Sequence, residues 1–399
     1  MPPSMQESAA RGESGEDHPP CAPLPPDALY IHVPFCLRKC AYCDFHSVPL
    51  GIESETDYIE ALLCEVRAVS ESLRFRTVYI GGGTPTSLSS VMFSRLLAGI
   101  DGRLGAGSSP PVEYTIETNP ATLEREKITA LEASSVNRIS VGIQTFNKAG
   151  LAVLGRAHDA AQAVSAVRLL RNAGFGNLNL DMLFGWPGQT IEMLREDLGK
   201  FLDLRPEHVS AYCLSVEHGT PLARAIRDGS LQPLSDDAQA DMLDEVVETM
   251  ESGGYRRYEV SNFAQPGRES LHNRAYWENR PYVGCGSGAC SYANGTRTEN
   301  TRDIQKYILA ISRGERPMEN SETLSPEKSA RETLVMGLRM TEGINLHEFN
   351  KRTGFDALVL CADAISGHVA AGRLEILDGR LRLTRQGFQV ANRIWSDLV

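Results

Sequence analysis

The chain has 399 residues with 40 Lys+Arg against 51 Asp+Glu, a formal net charge of −11, and 42% hydrophobic residues. That length accommodates two or three domains with a sizeable core, and the acidic balance excludes a protein built mainly to bind nucleic acid, leaving room only for a local basic groove. No stretch reaches the roughly 18–20 apolar residues of a membrane span and the N-terminus lacks the basic-then-apolar order of a secretory signal, so a soluble cytoplasmic protein is expected.

Residues 1–26 hold seven of the 21 prolines and almost no large apolar side chains. Such a segment cannot bury enough surface to offset the entropy of ordering, which predicts a disordered tail. Its acidic residues Glu7, Glu13, Glu16 and Asp17 also oppose a mitochondrial transit peptide. From Ala28 onward, apolar runs at 29–33, 77–80, 112–117, 136–141, 177–182 and 209–214 alternate with stretches of helical period. One such stretch is 56–70, where Ile59, Leu62, Leu63, Val66 and Val69 recur every three or four residues. Six strands alternating with helices predict an α/β fold: a parallel sheet with helical crossovers, closed or partly closed into a barrel. Ligands in such a fold gather where strands end, so a functional residue should follow a strand rather than precede it.

After about residue 215 the alternation breaks down. A helix over 237–252 leads into a polar and aromatic segment containing LHNRAYW and GCGSGACSY, and a separate C-terminal unit follows from about 321. That unit is predicted to be helical, then to form a hairpin of 374–377 with 380–383 across Asp378-Gly379, a dipeptide that tight turns prefer. Helices followed by a hairpin suggest a winged-helix-like α+β module over 321–399. In an acidic chain it is expected to pack on the barrel (27–320) rather than to bind DNA.

Nine cysteines, an odd number, make a poor disulfide framework and a plausible supply of metal ligands. Cys36, Cys40 and Cys43 follow the first predicted strand at C-x3-C-x2-C spacing, beyond Pro34. Three thiolates from one loop can hold three corners of an iron-sulfur cubane and leave the fourth iron open for chemistry. Arg38 and Lys39 between them favour thiolate over thiol. With His46 as a fourth ligand, the same loop can instead close a structural zinc site. Gly81-Gly82-Gly83-Thr84-Pro85, after the second strand, lets backbone approach a ligand and offers it N–H and C=O groups, but lacks the Lys of a phosphate loop. His272, beside Tyr276 and Trp277, pairs an imidazole suited to haem iron with flat apolar surface for a porphyrin; taken alone, such a His is more often a satisfied, partly buried one.

Tyr30-Ile31-His32-Val33-Pro34-Phe35-Cys36, Cys40-Ala41-Tyr42-Cys43 and the Gly81–Pro85 run carry a family resemblance. So do Glu117-Thr118-Asn119-Pro120, the string from Arg138 to Phe146, Leu154-Gly155-Arg156-Ala157-His158 and the string from Asp181 to Thr190. Together they resemble the radical S-adenosylmethionine superfamily and, within it, the oxygen-independent coproporphyrinogen III oxidases and their haem-chaperone relatives. The resemblance implies a partial (β/α)6 TIM-like barrel holding a [4Fe-4S] cluster on Cys36, Cys40 and Cys43. It implies S-adenosylmethionine bound by Tyr30, Tyr42, Gly82, Gly83, Thr84, Glu117, Gln144, Arg156, Asp181 and Cys290, the last through its backbone. Oxidases of the family carry a further cysteine two residues after the third, where this chain has Phe45. The string His272-Asn273-Arg274-Ala275-Tyr276-Trp277 matches the haem-binding H-N-x-x-Y-W motif of the chaperone branch. The resemblance therefore implies haem bound through His272, Asn273, Tyr276 and Trp277, delivery to an acceptor protein, and an electron donor for the cluster. The alternative activity is radical-based oxidative decarboxylation of coproporphyrinogen III to protoporphyrinogen IX.

Overall fold

The computed structural model describes residues 25–51, 53–104 and 110–399, so nearly all of the proline-rich segment, Cys21 included, lies outside the described residues. Six strands, β1 (Ala28–Val33), β2 (Thr77–Gly82), β3 (Glu113–Thr118), β4 (Arg138–Gln144), β5 (Leu178–Phe184) and β6 (His208–Cys213), lie side by side in chain order. Each is parallel to the next. The sheet continues beyond β1 through Tyr282–Cys285, parallel to β1, and then antiparallel through Cys290–Ala293, Thr296–Asn300 and Met318–Thr323. Beyond β6 it ends in Asn262–Ala264 and Arg256–Arg257, both antiparallel. Its two ends do not pair with each other among the described residues, so the barrel stays partial.

Period-two alternation along the strands decides what each face does. Leu29, Ile31, Val78, Ile80, Ile116, Ile139, Val141, Leu178, Leu180 and Val209 form one buried apolar set. Helices such as Glu55–Ser70 and Ser90–Leu104 cover that set with Ile59, Leu62, Val66, Phe93, Leu97 and Ile100. The alternate positions carry Tyr30, Tyr79, Thr115, Glu117, Arg138, Ser140, Asn179, Asp181, His208 and Ser210. An ordinary β/α barrel fills its interior with branched apolar side chains. Here the interior face is polar and encloses a cavity of about 340 Å³.

The helices are punctuated where the sequence supplies caps. Ser54 caps Glu55–Ser70, Thr190 caps Ile191–Asp203, and Asp159 with Gln162 forms a reciprocal capping box at Ala160–Asn172. Toward the C-terminus a second apolar cluster, including Leu334, Phe349, Ile365, Leu381 and Ile394, packs helices against a three-stranded sheet. Its hairpin joins Leu374–Leu377 to Arg380–Leu383, with Asp378 and Gly379 both at positive φ. The module meets the barrel where the Arg339 guanidinium lies 4.3 Å from the Trp277 ring centre and 4.7 Å from that of Trp395.

Candidate functional site

The loop bearing the three cysteines leaves β1 at Pro34 and is pinched at its neck. Phe35–Cys36 pairs with Val48–Pro49, and Val48 N–H donates to Pro34 O at 2.8 Å. Inside the loop, Ala41 N–H donates to Leu154 O at 3.0 Å and Leu222 N–H to Ala41 O at 2.8 Å, so two other segments hold it over the strand ends. The thiols of Cys36, Cys40 and Cys43 are free and half-buried along the mouth of the cavity. Burial pushes the Cys36 thiol up and that of Cys43 up to about 11. Arg156 Nη1 lies 3.2 Å from Cys40 Sγ, a charge-assisted contact suited to a thiolate. Among the described residues no three His, Cys, Asp or Glu side chains converge on a single ion, and His46 turns to Ser287 rather than to the thiols. One zinc would draw four ligands to one point, whereas a cubane takes each thiolate on a different iron. The donor set therefore fits a cluster better than zinc.

Arg156 is aimed by the helix before it. Lys148–Leu154 ends on Gly155, which takes the left-handed conformation (φ +69°) that a C-terminal glycine supplies without steric cost. The next residue then turns inward, where its Nη2 donates to Gly142 O at 2.5 Å and its Nε has no partner among the described residues. Gln144 ends β4 at φ +72°, and a register shift between Gly142 and Gln144 marks an irregularity there. An L-residue in that region is strained, and such strain clusters at ligand sites.

Glu117 and Asp181 stand in the cavity wall. The expectation was that such residues sit at strand ends or beyond; Asp181 instead occupies the middle of β5, and period two rather than strand end turns it inward. Neither caps a helix, since Asn119 and Thr190 do that. Glu117 accepts from Tyr79 Oη at 2.7 Å and from Gly82 N–H at 3.2 Å, and burial raises its carboxyl to about 7. Asp181, accepting from Ser140 Oγ (2.9 Å) and Asn179 Nδ2 (2.7 Å), is likewise raised by burial.

The glycine run behaves differently from its expectation. The N–H groups of Gly82, Gly83 and Thr84 are already taken by Glu117, Val33 O and Phe35 O. A Cβ on Gly83 would come within 2.6 Å of Phe35 O, and one on Gly82, at φ +107°, within 2.3 Å of the His32 ring. The glycines are needed because the β1 segment crosses over them, so what they offer the cavity is close approach rather than free donors. Gly82, Gly83, Thr84 and Tyr42 do line the cavity, whereas Tyr30 and Cys290 line a second one.

The H-N-x-x-Y-W string forms the helix Leu271–Trp277, capped by Ser270. Glu113, at the N-terminal end of β3, accepts from Ser270 Oγ and from the N–H groups of Leu271 and His272 at 3.2, 2.8 and 3.0 Å. The helix therefore plugs the end of the barrel opposite the cysteines. His272 is 1% exposed, with Nδ1 3.0 Å from Thr77 Oγ1, Nε2 3.1 Å from Tyr276 Oη and its ring stacked on Tyr79. Burial lowers its pKa to about 3, so the ring is neutral. The four motif residues diverge: Asn273 reaches the main cavity, Tyr276 the second, Trp277 the Arg339 contact, and His272 is enclosed.

Arg138, Asn179, Ser210 and Tyr212 also line the cavity, although no motif in the sequence names them as site residues. Their signal was the polar beat inside apolar runs, R-I-S, N-L-D and S-A-Y, which an eye for apolar stretches passes over.

Known proteins bear on this geometry. The Radical SAM superfamily profile matches residues 30–201 and the HemN C-terminal domain profile matches 324–390. The chain is 38% identical to the heme chaperone HemW of Lactococcus lactis, over 93% of this chain and 97% of that one. It is 34% identical to the Bacillus subtilis heme chaperone HemW, over 92% and 98% of the two chains. Among solved structures, coproporphyrinogen III oxidase (HemN) of Escherichia coli, a radical SAM enzyme, superposes with a TM-score of 0.80 over 94% of this chain and 90% of that one. At 21% identity this likeness speaks for the fold alone. With relatives above 30% identity matched over more than nine-tenths of both chains, the chain belongs to the HemW family of heme chaperones, within the radical SAM superfamily.

Proposed function

We propose that this protein is a haem chaperone that carries a [4Fe-4S] cluster and S-adenosylmethionine, binds haem and passes it to an acceptor protein. The observation that carries the reading is similarity to heme chaperones over more than nine-tenths of the chain, through both the barrel and the C-terminal module. Phe45, 67% exposed where oxidases of the family place a further cysteine, supports it against the decarboxylase alternative.

Cys36, Cys40 and Cys43 would hold the cluster, with Arg156 beside Cys40 offsetting thiolate charge. When bound, the cluster and S-adenosylmethionine together supply one-electron chemistry, the reductive cleavage of a carbon–sulfur bond. Glu117 and Asp181 present carboxylates suited to hydroxyl and ammonium groups of the ligand, Gln144 an amide, and the unpartnered Nε of Arg156 a donor for a carboxylate. Tyr42 brings an aromatic face to the same wall. An electron donor would reach the cluster at the cysteine loop, where Leu37 and Phe45 are exposed.

The test is anaerobic. Reconstituted protein is titrated with haem and, in parallel, incubated with reductant, S-adenosylmethionine and coproporphyrinogen III. Stoichiometric haem uptake and transfer to an apo-haemoprotein, without protoporphyrinogen IX, is the expected result. Turnover of coproporphyrinogen, or haem binding that never saturates, would overturn it.

A further inference from the structure

Asp181 is a buried carboxylate without a cation beside it. Its oxygens accept from neutral donors, Ser140 Oγ at 2.9 Å and Asn179 Nδ2 at 2.7 Å, and among the described residues no Arg or Lys forms an ion pair with it. A charge held in that way is costly unless its donors are aligned and well supported. Asn179 is supported from behind. An ionised carboxylate only accepts, so the amide must turn Nδ2 toward Asp181 and Oδ1 away from it. There Oδ1 accepts from His208 Nδ1 at 2.6 Å and from Ser210 Oγ at 3.1 Å.

His208 is fully buried, and burial, aided by the Arg138 charge, lowers its pKa well below the usual range and keeps the ring neutral. With the proton on Nδ1, Nε2 is an acceptor, and the Tyr258 hydroxyl donates to it at 2.8 Å. The same Tyr258 oxygen accepts the Ser270 N–H at 3.3 Å. Tyr258 is fixed at its backbone too: its N–H donates to Asn262 O at 3.1 Å, and its C=O accepts from Thr341 N–H of the C-terminal module at 3.0 Å. Every link therefore donates in one sense, from Ser270 to Tyr258, His208, Asn179 and finally Asp181. Each donor polarises the next, so the chain strengthens the hydrogen bond that reaches the carboxylate. A chain kept only to satisfy buried polar atoms has no need of a common direction. His208 and Tyr258 border neither of the two cavities, so their effect on a ligand must pass through Asn179.

We propose that His208 and Tyr258 are positioning residues for S-adenosylmethionine: acting through Asn179, they orient the Asp181 carboxylate and hold its charge for the ligand. The inference rests on the reading above that Asp181 meets S-adenosylmethionine, and the experiment separates the two.

Affinity for S-adenosylmethionine is measured calorimetrically on anaerobically reconstituted protein, with circular dichroism and cluster content as checks on folding. The set is wild type, Tyr258→Phe, His208→Leu, His208→Gln, Asp181→Asn and the double variant Asp181→Asn with Tyr258→Phe. Tyr258→Phe, which deletes one oxygen, should weaken binding about fivefold, the lower end of coupling between a site and a remote position. His208→Leu should weaken it at least as much. His208→Gln, whose amide can donate to Asn179 and accept from Tyr258, should return to within about twofold of wild type. Once Asp181 is uncharged, Tyr258→Phe should add less than about twofold, because its effect runs through that charge. If His208→Leu fails to fold, Tyr258→Phe and the double variant decide. Wild-type affinity in a folded Tyr258→Phe overturns the proposal, as does a full Tyr258→Phe effect in the Asp181→Asn background. Wild-type affinity in Asp181→Asn overturns the ligand role of Asp181, and this inference with it.

Discussion

The two ends of the barrel are both lined by polar side chains, yet they are finished differently. At the cysteine end three thiols are free, Arg156 Nε lacks a partner among the described residues and Gln144 is held in a strained conformation. At the opposite end Glu113 accepts three hydrogen bonds from the start of the Leu271–Trp277 helix, and His272 has both nitrogens satisfied. A buried polar group costs little when paired and a great deal when not. Unpaired valence beside the free thiols therefore marks an end able to receive ligands, and the pairing of Glu113 and His272 marks the end where the Leu271–Trp277 helix is fastened. A motif in sequence names the chemically capable residues at both ends without saying which remain available.

That contrast can be broken most severely at the cysteines. Replacing Cys36, Cys40 and Cys43 with Ser should abolish cluster incorporation, read as iron content and visible absorbance after anaerobic reconstitution. The unfolding free energy should stay within about 0.5 kcal/mol, because the thiols make no core contacts. Retention of a stoichiometric cluster would remove the basis for assigning this end.

Glu113→Ala should do the reverse. Deleting an acceptor of three hydrogen bonds from a buried helix start should cost about 3 kcal/mol in denaturant unfolding, with cluster content per folded molecule unchanged. A loss below roughly 0.5 kcal/mol would mean that the helix is not the plug described here.

The ends should also titrate in opposite directions. Burial raises Glu117 from 4.5 to about 7, so the folded state holds a proton that the unfolded chain has released. Its stabilisation is complete below pH 4.5 and is lost as pH rises through about 7. Burial lowers His272 from 6.5 to about 3, so its stabilisation is present above pH 6.5 and is lost as pH falls toward 3. In unfolding curves measured against pH, Glu117→Gln should remove the decline on the alkaline side of that range, and His272→Gln the decline on the acid side. On the role proposed for Glu117, affinity for S-adenosylmethionine should rise through pH 7 in wild type, as its carboxylate becomes a better acceptor, and be flat in Glu117→Gln. Matching slopes in wild type and variants would separate these groups from the effect.

The smallest effect is expected at Phe45. Its side chain is 67% exposed, so Phe45→Cys should alter stability by less than about 0.5 kcal/mol and leave cluster content unchanged.

Much of this was legible in the residues. The six expected strands coincide with β1 to β6 within a few residues, because β-rich apolar runs between amphipathic helices have few other ways to bury themselves. The hairpin bounds were read directly, since Asp378-Gly379 supplies the two positive-φ residues that a two-residue turn requires. The glycine run was read as a ligand surface, and its N–H groups turned out to be spent on β1 and Glu117, a pairing between segments about 50 and 35 residues apart that no local pattern records. His46 has the spacing of a zinc ligand beside the thiols, but Ser287, 241 residues away, holds it elsewhere.

The sequence by itself determined the alternation of strand and helix, the three-thiol loop, the absence of a cysteine at position 45 and the aromatic string around His272, since each depends on residue type and short-range spacing. Tertiary structure alone decided that β1 to β6 turn a polar face inward around a cavity, that His272 is closed while His46 is held by Ser287, and that the H-N-x-x-Y-W string plugs the end opposite the cysteines. The physical reason is that availability is a matter of which donors and acceptors have found partners, and those partners come from segments far apart in the chain.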